Sequence, residues 1–320
     1  MKKVWVDSDP GVDDTFALAM LFEAQEKVEV LGISTIFGNV DVDQTTRNAR
    51  IICEAAGKAN LPIARGAYFP LAEPLDTSPF VHGNNGMGDM PLPTPTMPES
   101  SLRAPQAIVE TILSHPGEIT LLPIGPLTNI AMALLLEPLI ADKVKEVVIM
   151  GGAVRCPGNI TPAAEANFFH DPHAARIVMS APWPIYLAPL DVCNLAMIPQ
   201  GLLDKICKAD KPLAPYIAGA LPFYQKFLEI FEIYDRVDFP DALAAAFLLE
   251  QGLFAMEEVP LYIETEGACK GQSVEVPSGK WYQNPQDTRT FVPDRTITAA
   301  HVMFDVDKRA FLGLVEDLLV

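Results

Sequence analysis

The chain has 320 residues, of which 49% are hydrophobic and 20% charged, a composition typical of a soluble globular protein. Its formal net charge of -18 argues against nucleic acid or an anionic membrane as a partner. The apolar stretches are too short to cross a bilayer, the first residues lack a signal-peptide core, and the five cysteines form no C-x-x-C pair. These features predict a cytoplasmic protein.

Apolar runs with strand character alternate with runs of helical spacing over the first 192 residues. The strands are predicted at 2–7, 28–38, 118–125, 145–152 and 184–192, and the helices at 14–26, 42–57, 126–138 and 171–181. Because these strands are apolar throughout, the pattern predicts an α/β fold. We expect an open, mainly parallel, Rossmann-like sheet that helices flank on both faces.

The pattern changes after residue 200. It predicts a mostly helical stretch at 218–252, strands at 259–267 and 296–307, and a final helix at 307–320. The proline-rich stretch at 91–98 is predicted to be a surface loop. The chain contains no linker rich in Gly or Ser and no repeat, so we predict a single domain over residues 1–320.

Polar residues directly follow several of the predicted strands. They are found at 7–14, 38–39, 125–126, 151–152 and 191. In open parallel sheets, ligands bind in the crevice outside the carboxyl ends of the strands. We therefore expect these segments, which are far apart in sequence, to meet at one edge of the sheet.

The stretch DSDPGVDD gathers Asp7, Asp9, Asp13 and Asp14 within eight residues. A capped helix start would explain one aspartate, but not four like charges. An aspartyl phosphotransferase would need D-x-D-x-T or D-x-D-x-V, whereas Gly11 stands at the last position. A hard cation would cancel the repulsion, since calcium takes six to eight oxygen ligands and a Pro-Gly turn could fold Asp9 and Asp14 towards one ion.

The same stretch, continued as DSDPGVDDTFAL, resembles the signature D-T-D-P-G-x-D-D-A-x-A of the nucleoside hydrolases, with Ser8 for Thr and Thr15 for Ala. Other matching motifs follow in the family's order: GN at 38–39, HGNNGMGD at 82–89, PIGPLTNIAMAL at 123–134, VVIMGGA at 147–153, GNITPAAEAN at 158–167 and DPHAA at 171–175. The resemblance implies the sheet of the nucleoside hydrolase type. It also implies a glycosidase that hydrolyses the N-glycosidic bond of ribonucleosides with a bound calcium ion.

The resemblance assigns roles to particular residues. It implies that Asp9, Asp14, Asp241 and the backbone carbonyl of Ile124 bind the calcium ion. Asp9 would also be the general base towards a water molecule. Asp7 would contact the ligand residues without binding the ion itself.

A second set of residues would bind the substrate. The resemblance implies contacts to the ribose by Asp13, Asn39, Met150, Asn159, Glu165 and Asn167. Asn and Glu suit a polyhydroxylated ligand because they offer donors and acceptors, although Asn159 and Asn167 alone could simply serve turns. His82 lies in a glycine-rich loop and is a candidate for a contact to the base. For Phe223, Tyr224, Phe227 and Phe231, helical spacing predicts core packing, with one or two free to stack on a nucleobase.

The chain departs from the family's pattern at the leaving-group side. Pro240 stands beside Asp241 where many members carry the histidine proposed to protonate the base, and Ala166 replaces a bulkier residue. His82 and Tyr224 are alternative acids. Two hypotheses follow: a calcium-dependent ribonucleoside hydrolase, or a ribose- or nucleoside-binding or regulatory protein with little hydrolase activity. The resemblance further implies a homodimer or homotetramer.

Overall fold

The computed structural model describes residues 1–276 and 297–320. The strands in this part of the chain are β1 (Lys2–Ser8), β2 (Val28–Thr35), β3 (Ile63–Arg65), β4 (Ile119–Pro123), β5 (Glu146–Met150), β6 (Ile185–Ala188), β7 (Ile198–Pro199), β8 (Arg236–Val237), β9 (Phe254–Ile263), β10 (Ser273–Glu275) and β11 (Ala299–Val306). Nine of them form one sheet in the order β10-β9-β11-β6-β5-β4-β1-β2-β3. The pairs from β11 to β3 are parallel, and β9 and β10 add two antiparallel pairs at one edge. The predicted α/β fold with a mainly parallel sheet is confirmed.

Helices fill most of the connections between the strands. They are α1 (Val12–Glu23), α2 (Val42–Ala55), α3 (Pro79–His82), α4 (Ala104–Ser114), α5 (Thr128–Leu136), α6 (Ile140–Lys143), α7 (Ala166–His170), α8 (Pro172–Met179), α9 (Leu190–Cys193), α10 (Gln200–Ile206), α11 (Ala214–Leu228), α12 (Pro240–Leu249) and α13 (Lys308–Leu319). Among the described residues, no helix combines the length and the apolar character needed to span a membrane.

The core consists of two layers, one on each face of the sheet. Side chains alternate between the faces of a strand, so Val4 and Val6 of β1 join one layer and Trp5 joins the other. The first layer includes α1 and α12, and the second includes α4, α5 and α8. Helices therefore cover both faces, as the apolar strands predict.

Helix α1 is buried along most of its length, and this fixes the acidic stretch that precedes it. Phe16 stacks on Phe239, with ring centroids 4.4 Å apart. The helix begins at Val12, where the backbone N–H of Gly11 donates to the carboxylate of Asp14 at 2.9 Å. The positive end of the helix dipole favours carboxylates at this position. A rigid, buried helix thus holds the aspartates at the end of β1.

One prediction of local structure is wrong in part. The strand predicted at 184–192 ends at Ala188, because Pro189 has no backbone N–H to donate and α9 follows directly. The stretch at 218–252 is mostly helical, as predicted, but its helix is divided, since α11 ends at Leu228 and the short strand β8 precedes α12. Proline at the first position of α12 favours a new helix start at Pro240.

The other boundaries differ by a few residues. The strand predicted at 259–267 is the second half of β9, and the strand predicted at 296–307 corresponds to β11, although residue 296 lies outside the described residues. The stretch at 91–98 has no regular secondary structure and is largely exposed, as predicted for a surface loop.

Candidate active site

A cavity of about 360 Å³ lies where the predicted polar segments meet. Asp9 follows β1, Ile124 follows β4, and Met150 ends β5, so the cavity is at the carboxyl ends of the parallel strands. The predicted site residues that line it are Asp9, Asp13, Asn39, His82, Ile124, Met150, Asn159, Glu165, Asn167 and Asp241. Asp14 does not line the cavity and is fully buried. The structure therefore brings these predicted residues together at one cavity, as expected for segments that follow neighbouring parallel strands.

Carboxylates crowd together at one end of this cavity. Ligand oxygens of Asp13, Asp14 and Asp241 lie within 4.8 Å of one another. Asp9 is 2% exposed, and the charge of Asp14 raises the pKa of its carboxyl group in addition to the effect of burial. Within residues 1–276 and 297–320, no Lys or Arg forms an ion pair with these carboxylates. The acidic end is thus a buried cluster of carboxyl groups that no Lys or Arg in the described part of the chain neutralises.

Burial disfavours the charged form of every member of this cluster. It raises the pKa of Asp14 to about 7 and that of Asp13 to about 6, and neighbouring carboxylates add to the shift. Burial also raises the pKa values of Asp9 and Asp241 well above their usual range, again with help from nearby carboxylates. A cation would relieve both the burial cost and the repulsion, and an all-oxygen donor set suits a hard cation. The residues present therefore fit a metal ion.

Asn39 fixes the carboxylate of Asp9 from one side. Its backbone N–H donates to Asp9 Oδ2 at 2.8 Å, and its side-chain amide donates to the Asp9 carbonyl at 2.9 Å. The same amide donates to Asp14 Oδ2 at 3.0 Å, so Asn39 links the two aspartates. On the other side, a Cβ atom on Gly125 would lie 2.5 Å from Asp9 Oδ1. Only glycine lets the chain approach this carboxylate so closely.

Asp14 and Asp7 are held by side chains of β1, β2 and α5. Ser8 donates to Asp14 Oδ1 at 2.6 Å. Oδ1 of Asp7 accepts from the hydroxyl of Ser34 and, at 2.8 Å, from the amide of Asn129. Burial raises the pKa of Asp7 to about 7. Neither Asp7 nor Asp14 lines the cavity, but a carboxylate oxygen of Asp14 lies within 4.8 Å of oxygens of Asp13 and Asp241, so Asp14 can still reach an ion at the acidic end.

The segment between β5 and α8 forms another wall. Glu165 caps α7 by accepting from the backbone of Asn167 at 2.8 Å, and it also accepts from the backbone of Gly152 at 2.8 Å. The amide of Asn167 donates to the carbonyls of Ile124 and Met150, each at 3.2 Å. Asn167 therefore orients the Ile124 carbonyl that the resemblance assigns to the metal.

Asn159 has a structural contact of its own. Its side-chain oxygen accepts from the backbone N–H of Ala166 at 3.0 Å. It lines the cavity and also braces the start of α7. This position is compatible with both interpretations of Asn159, as a residue that serves a turn and as a residue that lines the site.

His82 is buried in the cavity wall. The backbone N–H of Val12 donates to His82 Nδ1 at 3.3 Å, and Nδ1 is 3.7 Å from Asp13 Oδ1. Burial lowers the pKa of His82 to about 4, so its imidazole is neutral near pH 7. Its ring centroid is 5.5 Å from that of Tyr224. His82 thus joins the acidic end of the cavity to an aromatic end.

The aromatic end is formed largely by α11 and the turn after it. Tyr224 is buried and lies parallel to Phe239, with centroids 6.0 Å apart and planes at 9°. Phe227 and Phe231 also line the cavity, and Phe231 is 57% exposed. Tyr224 packs in the core and also borders the cavity, whereas Phe231 is exposed at the cavity, as the prediction allowed for one or two of these side chains.

The sequence interpretation did not single out Asp238, which also lines the cavity. Its Oδ1 atom is buried and has no hydrogen-bond partner among the described residues. Pro240, at the position where the resemblance leads one to expect histidine, lines the same wall. The only signal in the sequence was the closeness of Asp238 to Asp241.

Comparisons with known proteins agree with this geometry. The family model described as inosine-uridine preferring nucleoside hydrolase matches residues 4–313. The chain is 36% identical over 321 residues to the inosine-uridine preferring nucleoside hydrolase of Leishmania major, covering 99% of this chain and 97% of that protein. It is 34% identical over 274 residues to uridine nucleosidase 1 of Arabidopsis thaliana, covering 85% and 81%.

Solved structures of similar proteins share the whole fold. A plant nucleoside hydrolase, the PpNRh1 enzyme, superposes with a TM-score of 0.92 at 29% identity, covering 99% of this chain and 98% of that one. A purine-preferring ribonucleoside hydrolase from Gardnerella vaginalis gives a TM-score of 0.88 at 26% identity with the same coverage.

The fold, the acidic cavity and these similarities define an enzyme that hydrolyses N-glycosyl bonds. The chain belongs to the nucleoside hydrolase family. That family is metal-dependent, and the acidic end of the cavity is a candidate metal site.

Proposed function

We propose that this protein catalyses the calcium-dependent hydrolysis of ribonucleosides to ribose and free base. The observation that carries the proposal is the two-ended cavity, with carboxylates and amides at one end and aromatic side chains at the other. A ribonucleoside has the same division, since its sugar is polyhydroxylated and its base is planar. The names of the similar proteins, which include uridine, inosine and purine nucleosides, support this substrate class.

The proposed ion is calcium, and it would be held by Asp9, Asp14, Asp241 and the carbonyl of Ile124. Asp13 lies within reach of the same position, because its carboxylate groups with those of Asp14 and Asp241. When bound, calcium would orient the sugar hydroxyls and a water molecule and would neutralise the acidic cluster. The absence of Cys and His from the donor set favours calcium over softer metals.

Asp9 would be the general base of the reaction. Its Oδ2 accepts from the backbone of Asn39, so the carboxylate is held in one orientation. Its other oxygen would accept the proton of the attacking water molecule. Catalysis of this kind contributes typically about 10²- to 10⁴-fold to the rate. Asn39 and the close approach of Gly125 would keep the Asp9 carboxylate oriented towards the sugar.

The remaining carboxylates would stabilise positive charge on the sugar. Cleavage of an N-glycosidic bond passes through an oxocarbenium-like ribosyl centre. Preorganised negative groups aimed at developing positive charge lower the barrier in a site that excludes water. Asp13 would bind a ribose hydroxyl, and Asn39, Asn159, Glu165 and Asn167, with Met150 beneath the ring, would complete the sugar site.

A second candidate function is ribonucleoside binding with little turnover. Pro240 favours it, because this position cannot supply a proton to the departing base. The acidic end, with Asp9, Asp13, Asp14 and Asp241 brought together, favours hydrolysis. A panel of inosine, uridine, adenosine and cytidine separates the two functions by the release of free base.

The design of that experiment follows from the site. Free base should be released by the calcium-loaded parent and not by the Asp9→Asn variant, which serves as the matched control. Tight binding of a nucleoside without release of base would favour the second function.

We propose a cytoplasmic homodimer or homotetramer, based on the sequence features and the family resemblance. Light scattering of the purified protein measures the number of subunits directly.

A further inference from the structure

Asp238 presents a buried carboxyl oxygen that the described part of the protein does not satisfy. Its Oδ1 has no hydrogen-bond partner there, although more than about 90% of buried polar groups in proteins have one. A buried carboxyl oxygen without a hydrogen-bond partner lowers the stability of the fold. Because Asp238 lines the cavity, a bound molecule could supply the missing partner.

The position of Asp238 lies between the two ends of the cavity. It stands between β8 and α12, three residues before Asp241, so the two residues are at most roughly 11 Å apart along the chain. Burial raises the pKa of the Tyr224 phenol, and the charge of Asp238 adds the next largest effect. Asp238 lines the same cavity as Tyr224 of the aromatic end and Asp241 of the acidic end.

Apart from the Tyr224 hydroxyl, the residues that form the aromatic end are largely apolar. Phe227, Phe231 and Ile233 present apolar surface, and His82 already accepts a hydrogen bond from the backbone of Val12. Apolar contacts hold a planar ring but cannot recognise its polar edge. A nucleobase carries ring N–H or amino groups on that edge, and these donors need an acceptor when they are buried.

We propose that Asp238 accepts a hydrogen bond from the nucleobase and thereby determines which leaving groups the cavity takes. This inference rests on the proposed function, because it concerns the base half of the same site. The carboxylate accepts from a ring N–H or an exocyclic amino group. A leaving group without an N–H, such as nitrophenol, makes no such bond. Asp238 is a specificity residue for the base, and it has no part in binding calcium or ribose.

The test compares two substrates in three variants. Asp238→Leu removes the polar group at similar size, and Asp238→Asn keeps one acceptor oxygen. Asp235→Asn is the matched control, because Asp235 is in the same segment but its side chain is 80% exposed. The measured quantity is kcat/KM for uridine or inosine and for nitrophenyl riboside.

We expect Asp238→Leu to lower kcat/KM for the nucleoside by about 10- to 100-fold, the range for a hydrogen bond to a charged group. We expect nitrophenyl riboside to change by less than about threefold. Asp238→Asn should fall between the parent and Asp238→Leu, and Asp235→Asn should match the parent. The thermal unfolding midpoint of Asp238→Leu should equal or exceed that of the parent, because an unpaired buried carboxyl group is removed.

Three results would overturn the inference. The first is an equal decrease of kcat/KM for the nucleoside and for nitrophenyl riboside. The second is an unchanged kcat/KM for the nucleoside. The third is an Asp238→Leu variant whose unfolding midpoint is well below that of the parent and whose kcat/KM is low for both substrates. If the parent releases no base at all, the proposed function fails, and calorimetry then decides the inference. Asp238→Leu should weaken nucleoside binding by the same factor and leave ribose binding unchanged, and unchanged nucleoside binding would overturn it.

Discussion

Replacing Gly125 with alanine tests whether the orientation of Asp9 controls the reaction. The new Cβ would lie 2.5 Å from Asp9 Oδ1 and 2.9 Å from the side chain of Ile36. Non-bonded heavy atoms at optimal separation are about 3.5 Å apart, so the Asp9 carboxylate would have to move by roughly 1 Å. A misplacement of about 1 Å can lower the rate by about 10²-fold.

The assay is the steady-state kcat for uridine or inosine with calcium in excess. We expect Gly125→Ala to lower kcat by about 100-fold and to destabilise the fold by about 1–3 kcal/mol, the usual effect of overpacking. Gly201→Ala is the control, because a Cβ there meets no atom within 4 Å. It should leave kcat unchanged and keep or slightly raise the unfolding midpoint. A Gly125→Ala enzyme with kcat within threefold of the parent would refute the reasoning.

Three further predictions concern the general base Asp9, the leaving group of the substrate and the pH dependence of stability. Asp9→Asn should lower turnover by at least about 10²-fold while circular dichroism shows an intact fold, and near-normal activity would mean that Asp9 is not the base. Nitrophenyl riboside should be hydrolysed much faster than inosine or uridine, because Pro240 donates no proton. Fast nucleoside cleavage that neither His82→Ala nor Tyr224→Phe changes would contradict this. Burial raises the pKa values of Asp7 and Asp14 to about 7, above the roughly 4 of an unfolded chain. Their contribution to stability is complete below about pH 4 and is lost as the pH rises through 7. Chelator-treated protein should therefore unfold at a lower temperature at pH 8 than at pH 6, and calcium should raise the midpoint most at pH 8. A midpoint that does not depend on pH would contradict the prediction.

The sheet and the edge at which the polar segments meet could be predicted because local patterns determine them. Apolar runs identify buried parallel strands, and such strands end at one edge of a sheet. The aspartates after β1 and the segments after β4 and β5 are therefore found at one cavity. Four like charges in eight residues also indicate a counter-charge supplied by a ligand.

Contacts between distant segments could not be read from the sequence. The link from Asn39 to both Asp9 and Asp14 depends on how β2 and α1 pack, and no local pattern encodes it. Glu165 caps α7 in the structure, and the sequence alone is compatible both with this capping role and with a role in sugar binding. Asp238 was missed because a single aspartate before a helix has many ordinary explanations.

The most direct test of the central claim is a calcium titration of the chelator-treated protein with uridine or inosine as substrate. The measured product is free base, with ribose determined in parallel. We predict no turnover without the metal, and turnover that reaches its maximum at about one bound calcium ion per chain, as one site of this ligand type implies. Unchanged turnover in chelator, or no release of base at any calcium concentration, would contradict the account.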